Sequence, residues 1–333
     1  MKNQKKNSVK VNQHLFTKKE ELLPTRDGYG KALLELGKKQ KNVMVLCCDL
    51  TDSTRSSWFK ESYPDRFLEM GVAEQNMAGV AAGLAMEGKI PFISSYAVFS
   101  PGRNWDQVRI SICYSNVSVK IAGCHAGISV GPDGATHQAL EDIAITRVLP
   151  NMTVLVPCDA NEAYRATLLA AKIKGPVYVR LTREKTPIIT SEKTPLEVGK
   201  GYVLKNGEDV TLIACGPLVY EALKAAKEIE KEHDVSVQVI NMPSIKPIDR
   251  SLIKKAAEET GAIVTVEEHQ MNAGLGGAIA EVLAEECPTP MERVGMPDSF
   301  GESGEPSELL EKYEMTSYGI ITAIRKVLKR KSH

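Results

Sequence analysis

One acidic residue stands at the head of a segment composed almost entirely of small apolar residues. Glu74 lies within residues 71–85, which read GVAEQNMAGVAAGLA. No Lys or Arg lies three or four residues away, the spacing at which opposite charges pair along a helix. A buried carboxylate without a cation must share a proton with another group, so Glu74 is a candidate for proton exchange with a ligand. Alternatively, Glu74 only occupies the positive N-terminal end of a helix, where acidic residues are common.

A second segment whose side chains could take part in catalysis or binding covers residues 124–138, which read CHAGISVGPDGATHQ. Its glycines allow the backbone to approach a ligand closely, and His125, Asp133 and His137 supply proton-transfer and hydrogen-bonding groups. The segment lacks the Gly-Lys-Ser/Thr ending of a phosphate-binding Walker loop. Zinc binding by the same three residues is an alternative, although the spacing of twelve between the histidines matches no common zinc pattern. His137 could also only cap a helix.

Alternating strands and helices must position these residues. Short β-branched runs alternate with longer helical patterns from about residue 26 to 182, which predicts a parallel sheet. The predicted strands are Val43–Cys48, Arg66–Met70, Ile90–Ser95, Val117–Gly123, Thr153–Pro157 and Val177–Leu181. The predicted helices are Thr25–Lys39, Ala73–Met86, Arg103–Tyr114, Gln138–Val148 and Asn161–Lys172.

The carboxyl ends of the predicted strands carry the unusual residues. Ligands of open parallel sheets bind beyond these ends. Five of the six strands are followed there by a polar or aromatic residue: Asp49, Glu74, Tyr96 with Phe99, His125 and Arg183. This coincidence favours a functional Glu74. Arg183 would add a fixed cation suited to a phosphate or carboxylate, although an arginine considered alone more often forms a salt bridge.

The alternation breaks between about residues 182 and 210 and then restarts. We expect a polar tail over residues 1–20, a first domain over 21–185, a linker with at most one hairpin over 186–205, and a second domain over 206–333. The predicted strands of the second domain are Val210–Ala214, Val235–Ile240, Ile263–Glu267 and Glu292–Val294. Its predicted helices are Tyr220–Lys231, Asp249–Thr260, Gly276–Glu286 and Tyr318–Leu328. The expected fold class is α/β, with two doubly wound domains in series: a parallel-sheet domain and a smaller mixed-sheet domain.

The composition argues against nucleic-acid binding, a membrane span and disulfide bonds. The 333 residues include 42 Lys plus Arg and 42 Asp plus Glu, so no net basic field attracts nucleic acid. The lysines among the first 20 residues predict a solvated, poorly ordered tail. No apolar signal segment and no apolar stretch of about 18 residues is present, so we expect a cytoplasmic protein without a membrane span. The seven cysteines lack C-x-x-C spacing and are expected to be free thiols.

Together these residues resemble the transketolase family of thiamine-diphosphate enzymes, in its pyrimidine-binding and C-terminal domains. The most specific segments are GVAEQ at 71–75 with the small-residue helix, and DGATHQ at 133–138. Only a lysine-rich tail precedes residue 25, where the resemblance begins. The resemblance therefore implies the C-terminal subunit of a split transketolase of the pentose phosphate pathway. A separate N-terminal subunit would carry the diphosphate-binding domain, and self-association would give a two-plus-two assembly.

The resemblance also implies how the cofactor is held. Glu74 would share a proton with the aminopyrimidine ring of thiamine diphosphate, because apolar surroundings favour the protonated carboxyl group. The thiazolium ring of the cofactor would act as the electron sink. Phe99, Tyr96 and Asp49 would also contact the cofactor. Mg²⁺ or Ca²⁺ would be bound mainly by the partner subunit, and this chain would supply no metal ligand.

For the sugar phosphates, the resemblance implies two kinds of contact. His125, Asp133 and His137 would contact the hydroxyls and carbonyl oxygen of the donor, with both histidines catalytic alongside Glu74. Arg26 and Arg183 would bind the phosphate. Where many transketolases have a serine in a Ser-Ala-Asp-Leu-Thr segment, this chain has Cys47 in CCDLT. One phosphate hydrogen bond of the family pattern is therefore in question here.

Three other interpretations stay open. A 1-deoxy-D-xylulose-5-phosphate synthase shares the Asp-Gly-x-Thr-His-Gln pattern but lacks a histidine that matches His125. The β subunits of 2-oxoacid dehydrogenases share the two-domain size but not the Thr-His-Gln ending at 136–138. A structural or regulatory subunit without enzymatic activity would not need Glu74, His125, His137 and Arg183 together. Each of the three is less consistent with these residues than ketol transfer.

Overall fold

The computed structural model describes residues 8–191 and 193–331, in which the strands form three sheets. The strands are β1 (Leu22–Pro24), β2 (Val43–Cys47), β3 (Phe67–Glu69), β4 (Ile90–Tyr96), β5 (Lys120–Cys124), β6 (Thr153–Leu155), β7 (Val177–Arg180), β8 (Lys185–Pro187), β9 (Tyr202–Lys205), β10 (Val210–Ala214), β11 (Val237–Asn241), β12 (Ser244–Lys246), β13 (Ile263–Gln270) and β14 (Met291–Met296).

The helices alternate with these strands. They are α1 (Thr25–Lys39), α2 (Ser56–Ser62), α3 (Glu74–Met86), α4 (Trp105–Gln107), α5 (Asp142–Arg147), α6 (Ala160–Ala170), α7 (Val219–Glu232), α8 (Arg250–Thr260), α9 (Leu275–Glu286), α10 (Pro306–Lys312) and α11 (Ser317–Lys331). Wide π-helical turns occupy Val98–Arg103 and Val108–Tyr114, on either side of α4. Short 3-10 turns include Ile128–Asp133.

The largest sheet has seven strands in the order β12-β6-β7-β5-β4-β2-β3. All neighbours in it are parallel except β12, which pairs antiparallel with β6. The second sheet has five strands in the order β14-β13-β10-β11-β9, and only β9 is antiparallel. The predicted α/β fold with a parallel sheet and a smaller mixed sheet is confirmed.

The strand order of the larger sheet reverses at β2. The chain runs from β2 outward to β3 and then returns to β4 on the other side of β2. Ligands of doubly wound folds bind at such a switch point, beyond the carboxyl ends of the strands. Because β7, β5, β4, β2 and β3 are consecutive parallel neighbours, the five predicted strand ends do lie along one edge.

Helix α3 shows how the small-residue segment serves the fold. Met77, Ala78 and Ala81 are completely buried and face the core against β4. The opposite face, which includes Gly79 and Gly83, is exposed. Small residues therefore let α3 lie close to the sheet while leaving a smooth outer face.

Helices α1 and α6 make an unusually close contact at a glycine. A Cβ atom placed on Gly28 would lie 2.0 Å from the backbone oxygen of Ala160. Any larger residue at Gly28 would push α1 away from α6. Since α1 begins at Thr25 and carries Arg26 in its first turn, this contact also fixes where Arg26 lies.

The N-terminal segment differs from the prediction of a solvated tail. Residues 1–7 lie outside the described residues. Residues 8–20 contact the rest of the chain: the Val9 N–H donates to the Val203 oxygen at 2.8 Å, and the Asn12 N–H to the Ile189 oxygen at 2.8 Å. The Phe16 ring lies 5.2 Å from that of Tyr220. The prediction is wrong for residues 8–20, because apolar residues among the lysines supply packing contacts.

The expected linker also contains structure. Strand β8 pairs antiparallel with β1, so residues 185–187 belong to a small sheet rather than to a hairpin. Strand β9 is an edge strand of the second sheet. Strand β12, from the part of the sequence expected in the second domain, joins the larger sheet. One strand of the second unit (residues 206–331) thus completes the larger sheet of the first unit (residues 21–185), in addition to the connecting segment.

All seven cysteines are free and six of them are buried, which confirms the expected free thiols. Within residues 8–191 and 193–331, no helix combines the length and the apolar character needed to cross a membrane.

Candidate active site

Glu74 is the first residue of α3 and is almost completely buried, with 2% of its surface exposed. The Arg103 Nη1 donates to the Glu74 Oε2 at 2.9 Å. The Asn104 Nδ2 donates to the backbone oxygen of Glu74 at 3.1 Å. The expectation that Glu74 has no cationic partner is therefore wrong. Its partner lies 29 residues away, beyond the reach of helix-spacing arguments.

Aromatic rings form one wall beside Glu74. Tyr96 and Phe99 are nearly parallel, with ring centroids 6.0 Å apart, and the Arg103 guanidinium lies 4.4 Å from the Phe99 centroid. The His125 ring stacks on Tyr96 at 3.8 Å, and His137 meets Phe99 edge-on at 5.5 Å. The structure thus brings both predicted aromatic residues and both predicted histidines into one cluster. We call Tyr96, Phe99, His125 and His137 the aromatic wall.

His125 is held in one protonation state by its surroundings. Its Nε2 lies 3.2 Å from the Arg26 Nη1, and a guanidinium can only donate, so Nε2 accepts and Nδ1 carries the hydrogen. Burial, with the nearby Arg26 and Arg183 guanidinium groups, lowers the pKa of His125 to about 2. The ring is therefore neutral at physiological pH. The buried Nδ1 has no hydrogen-bond partner among the described residues, so this N–H is available to a ligand oxygen.

Two arginines lie near this imidazole. The Arg26 Nη1 also donates to the Ser53 oxygen at 2.8 Å. The Arg183 Nη1 donates to the Val130 oxygen at 3.1 Å and lies 3.6 Å from the Asp133 carboxylate. Arg183 therefore depends for its orientation on residues 127–134, which we call the 127–134 loop.

Residues 136–138, which follow this loop, position His137 and hold the loop by hydrogen bonds. The Thr136 hydroxyl lies 2.8 Å from the His137 Nδ1. The Gln138 Nε2 donates to the Ile128 oxygen at 3.2 Å, the Gly131 oxygen at 3.3 Å and the Glu302 oxygen at 2.8 Å. Residues 138–141 precede the shorter helix α5, so the predicted helix start at Gln138 is wrong. The Gln138 side chain bridges the loop and the second unit instead.

Asp49 lies at the edge of this group. It is exposed, has a φ of 56° and donates its backbone N–H to the Glu69 Oε1 at 2.8 Å. Glu69 also accepts bonds from the Thr51 hydroxyl at 2.8 Å and the Gly71 N–H at 3.2 Å. Although burial opposes it, these hydrogen bonds lower the pKa of Glu69. Glu69 thus ties the loop after β2 to the turn before Glu74. Its position inside a predicted strand gave no signal of this role.

Cys47 lies behind the site. It is completely buried, and its Sγ lies 3.7 Å from the Thr54 hydroxyl. Burial raises the pKa of Cys47, so its side chain is a neutral thiol. The substitution of the family serine at this position therefore leaves a packed, uncharged group.

The zinc alternative has no support in this arrangement. Within the described part of the chain, no group of three or more His, Cys, Asp or Glu side chains is placed to hold a metal ion. His125 instead contacts Arg26, and Asp133 contacts Arg183.

Comparisons with known proteins identify the family of the chain. The family model for the transketolase pyrimidine-binding domain matches residues 21–188. The model for the transketolase C-terminal domain matches residues 199–320. The chain belongs to the transketolase family. The expected domain limits, 21–185 and 206–333, lie close to these matches and remain our proposal for the boundaries.

Several transketolase-family relatives match nearly the whole chain. A transketolase C-terminal section from Methanocaldococcus jannaschii is 47% identical over 308 residues, covering 92% of this chain and 96% of its own length. A 6-deoxy-6-sulfo-D-fructose transketolase subunit from Clostridium sp. is 40% identical over 307 residues, covering 92% and 95%. A solved split-gene transketolase, described as an inactive β4 tetramer, has a TM-score of 0.87 at 50% identity and covers 93% and 99%.

Proposed function

We propose that this chain is the C-terminal subunit of a split transketolase. With an N-terminal subunit that carries the diphosphate-binding domain, it would transfer a two-carbon ketol unit from a ketose phosphate to an aldose phosphate. The observation that carries the proposal is the convergence of Glu74, the aromatic wall, Arg26 and Arg183 at the switch point of the sheet. Relatives of the same length are themselves a C-terminal section and a subunit, which supports the need for a partner.

The residues around Glu74 fit thiamine diphosphate, the cofactor that the family implies. A planar, nitrogen-bearing group already fits between the acid and the ring: the Arg103 guanidinium lies 2.9 Å from the Glu74 carboxylate and 4.4 Å from the Phe99 centroid. An aminopyrimidine is also planar and nitrogen-bearing, so the same two partners suit it. When bound, the cofactor supplies the nucleophilic carbon and the electron sink. Glu74 would hold a proton at the pyrimidine nitrogen, and the half-exposed Arg103 would move aside. Asp49 stays a proposed cofactor contact, and the metal ion would belong to the partner.

The sugar would lie between the histidines and the arginines. The unpaired Nδ1–H of His125 can donate to a carbonyl or hydroxyl oxygen of the donor. His137, beside Phe99, and Asp133, beside Arg183, can orient further hydroxyls. Arg26 and Arg183 supply the positive charge for a tetrahedral anion. A phosphate suits this charge, and a sulfonate, as in the sugar of the relative from Clostridium sp., would suit it too.

Self-association of the subunit would use the outer face of α3. Val72 and Met86 are 71% and 62% exposed, and they flank Gly79 and Gly83. A Cβ atom on either glycine would meet nothing within 4 Å, so another helix could approach α3 closely. The tetramer of β subunits described for the solved relative supports contacts between copies. We propose a two-plus-two assembly with the partner subunit.

Reconstitution tests this function. The purified chain alone should show no ketol transfer between a ketose phosphate and an aldose phosphate. Addition of an N-terminal subunit with the diphosphate-binding domain, thiamine diphosphate and Mg²⁺ should produce turnover, measured by release of the aldose product. Full activity of the chain alone would contradict the split-subunit proposal. Turnover of pyruvate with glyceraldehyde phosphate would instead indicate a synthase, and lipoyl-linked oxidation of a 2-oxoacid would indicate a dehydrogenase subunit.

A further inference from the structure

We propose that Glu268, a residue of the second unit, is a positioning residue for anion binding by Arg183. This role rests on the proposed function, because it concerns how the same site holds the phosphate of its substrate. Glu268 itself does not belong to the group of residues proposed to contact cofactor or sugar. It would act through the 127–134 loop.

The contact between Glu268 and the loop is direct and buried. The Ser129 N–H donates to the Glu268 Oε1 at 2.7 Å, and only 3% of Glu268 is exposed. The backbone oxygen of Glu268 accepts from the Arg180 Nη2 at 2.8 Å, which fixes the residue from its other side. A carboxylate from the second unit therefore holds a backbone amide of the site loop.

The loop is shaped to admit this carboxylate. Gly127 has a φ of +95°, and a Cβ atom built there would lie 2.3 Å from the Glu268 Oε1. Glycine is thus required at Gly127 by backbone conformation and by space. The close approach and the hydrogen bond involve different residues, so Glu268 meets the loop at two positions, Gly127 and Ser129.

A change in the position of the loop would reach Arg183 through direct contacts. Val130 follows Ser129, and its oxygen accepts from the Arg183 Nη1 at 3.1 Å. Asp133, near the far end of the loop, lies 3.6 Å from the same guanidinium. Movement of the loop away from Glu268 would therefore shift both groups that orient Arg183. The phosphate would then meet a guanidinium that is no longer held in place.

Glu267 provides a matched control within the same strand. It is 1% exposed, and burial raises the pKa of Glu267 as it does that of Glu268. It too accepts backbone N–H groups, from Leu275 at 2.7 Å and Gly276 at 2.8 Å. These groups begin α9, inside the second unit. Glu267 and Glu268 thus match in chemistry and burial but differ in which segment they hold.

Kinetics of the assembled enzyme test the positioning role. In Glu268→Ala, the KM for an aldose phosphate should rise about tenfold, since a buried hydrogen bond to the loop is lost, while kcat changes less than about twofold. The KM for the same aldose without phosphate should change less than about twofold. Arg183→Ala should also raise the KM for the phosphorylated aldose more than that for the unphosphorylated one, and by a larger factor than Glu268→Ala does. Glu267→Ala should lower the thermal midpoint without changing the ratio of the two KM values.

A second variant and a second measurement keep the test independent of folding losses and of activity. Glu268→Gln retains an acceptor oxygen for the Ser129 N–H and should recover most of the loss in KM. Hydrogen exchange of the subunit, followed by mass spectrometry, should be at least about tenfold faster over residues 127–134 in Glu268→Ala. In Glu267→Ala the faster exchange should lie at the start of α9.

The two proposals fail in different ways. Unchanged exchange over residues 127–134 in Glu268→Ala, or an equal rise in KM for phosphorylated and unphosphorylated aldoses, would overturn the positioning role. Absence of ketol transfer in the unmodified assembly would overturn the proposed function, whatever the exchange experiment shows.

Discussion

Glu74 is the side chain on which the proposed chemistry depends most. In Glu74→Gln, kcat of the reconstituted enzyme should fall at least about a thousandfold, because an amide cannot exchange the proton that a carboxyl group holds. The substitution keeps the volume of the side chain and an oxygen for the Arg103 hydrogen bond, so the fold should persist. Steady-state kinetics and light scattering would measure turnover and assembly.

Glu87 offers a control for this substitution. It is exposed and follows the same helix at its opposite end. Glu87→Gln should leave turnover and assembly unchanged. Unaltered turnover in Glu74→Gln would remove Glu74 from the mechanism.

Several of the residues that the sequence identified lie at strand ends. Glu74, His125 and Arg183 follow predicted strands, so the geometry of a parallel sheet was enough to bring them together. Arg103 and Glu268 were not found, because their contacts join positions 29 and 139 residues apart. Such contacts depend on how loops fold back over the sheet, and periodicity carries no record of that.

At the level of elements, helix α3 has a buried face and an exposed face, and we expect the exposed face to mediate self-association. Gly79→Leu should shift the subunit to smaller species, because the new side chain would prevent close approach of a second helix. A Cβ atom at this position meets nothing within 4 Å and Gly79 lies on an exposed face, so folding should be retained. Sedimentation velocity would measure the distribution of species.

Gly277 in α9 is the matched control for Gly79. A Cβ atom there also meets nothing within 4 Å, and the glycine is likewise helical. Gly277→Leu should leave the assembly state unchanged. Identical sedimentation of Gly79→Leu and the unmodified chain would contradict self-association through α3.

The helices and strands that could be predicted from the sequence are the long or buried ones. The long helices α1 and α3 and the buried strand β10 were predicted to within about two residues, because each has a clear periodic or apolar pattern. The short helices α2 and α10 were missed, since seven residues give too few turns for a periodic signal. The three-residue strand β12 was missed because only its pairing with β6 makes it a strand.

Over the whole molecule, buried polar networks join the two units. Arg180, which forms a nearly inaccessible ion pair with Asp142 at 2.8 Å, also donates from its Nη2 to the Glu268 oxygen of the second unit at 2.8 Å. The Asn241 Nδ2 donates to the Glu162 Oε1 at 2.9 Å across the units. Such networks are costly to break once buried, because each group that loses its partner is left unpaired. The second unit is therefore fixed against the edge of the sheet that carries the site, which is what the role of Glu268 requires.

The stability of the whole chain should depend on pH through Lys120, the first residue of β5. It is 1% exposed, and its Nζ donates to the Ile173 and Gly175 oxygens at 2.7 Å each. Burial lowers the pKa of Lys120 to about 7. Above pH 7 the unfolded chain therefore binds more protons at Lys120 than the folded chain does. The contribution of Lys120 to the free energy of unfolding therefore rises with pH until the amine of the unfolded chain also titrates.

A comparison with Lys120→Met isolates this effect from all other titrations. The free energy of unfolding of the unmodified chain, minus that of Lys120→Met, should increase by about 2 kcal/mol between pH 7 and pH 9. Denaturant titrations followed by circular dichroism would measure both values. The matched variant Lys172→Met removes an exposed amine and controls for the loss of a positive charge. A pH-independent difference for Lys120→Met would mean that the two carbonyl oxygens keep the ammonium protonated despite its burial.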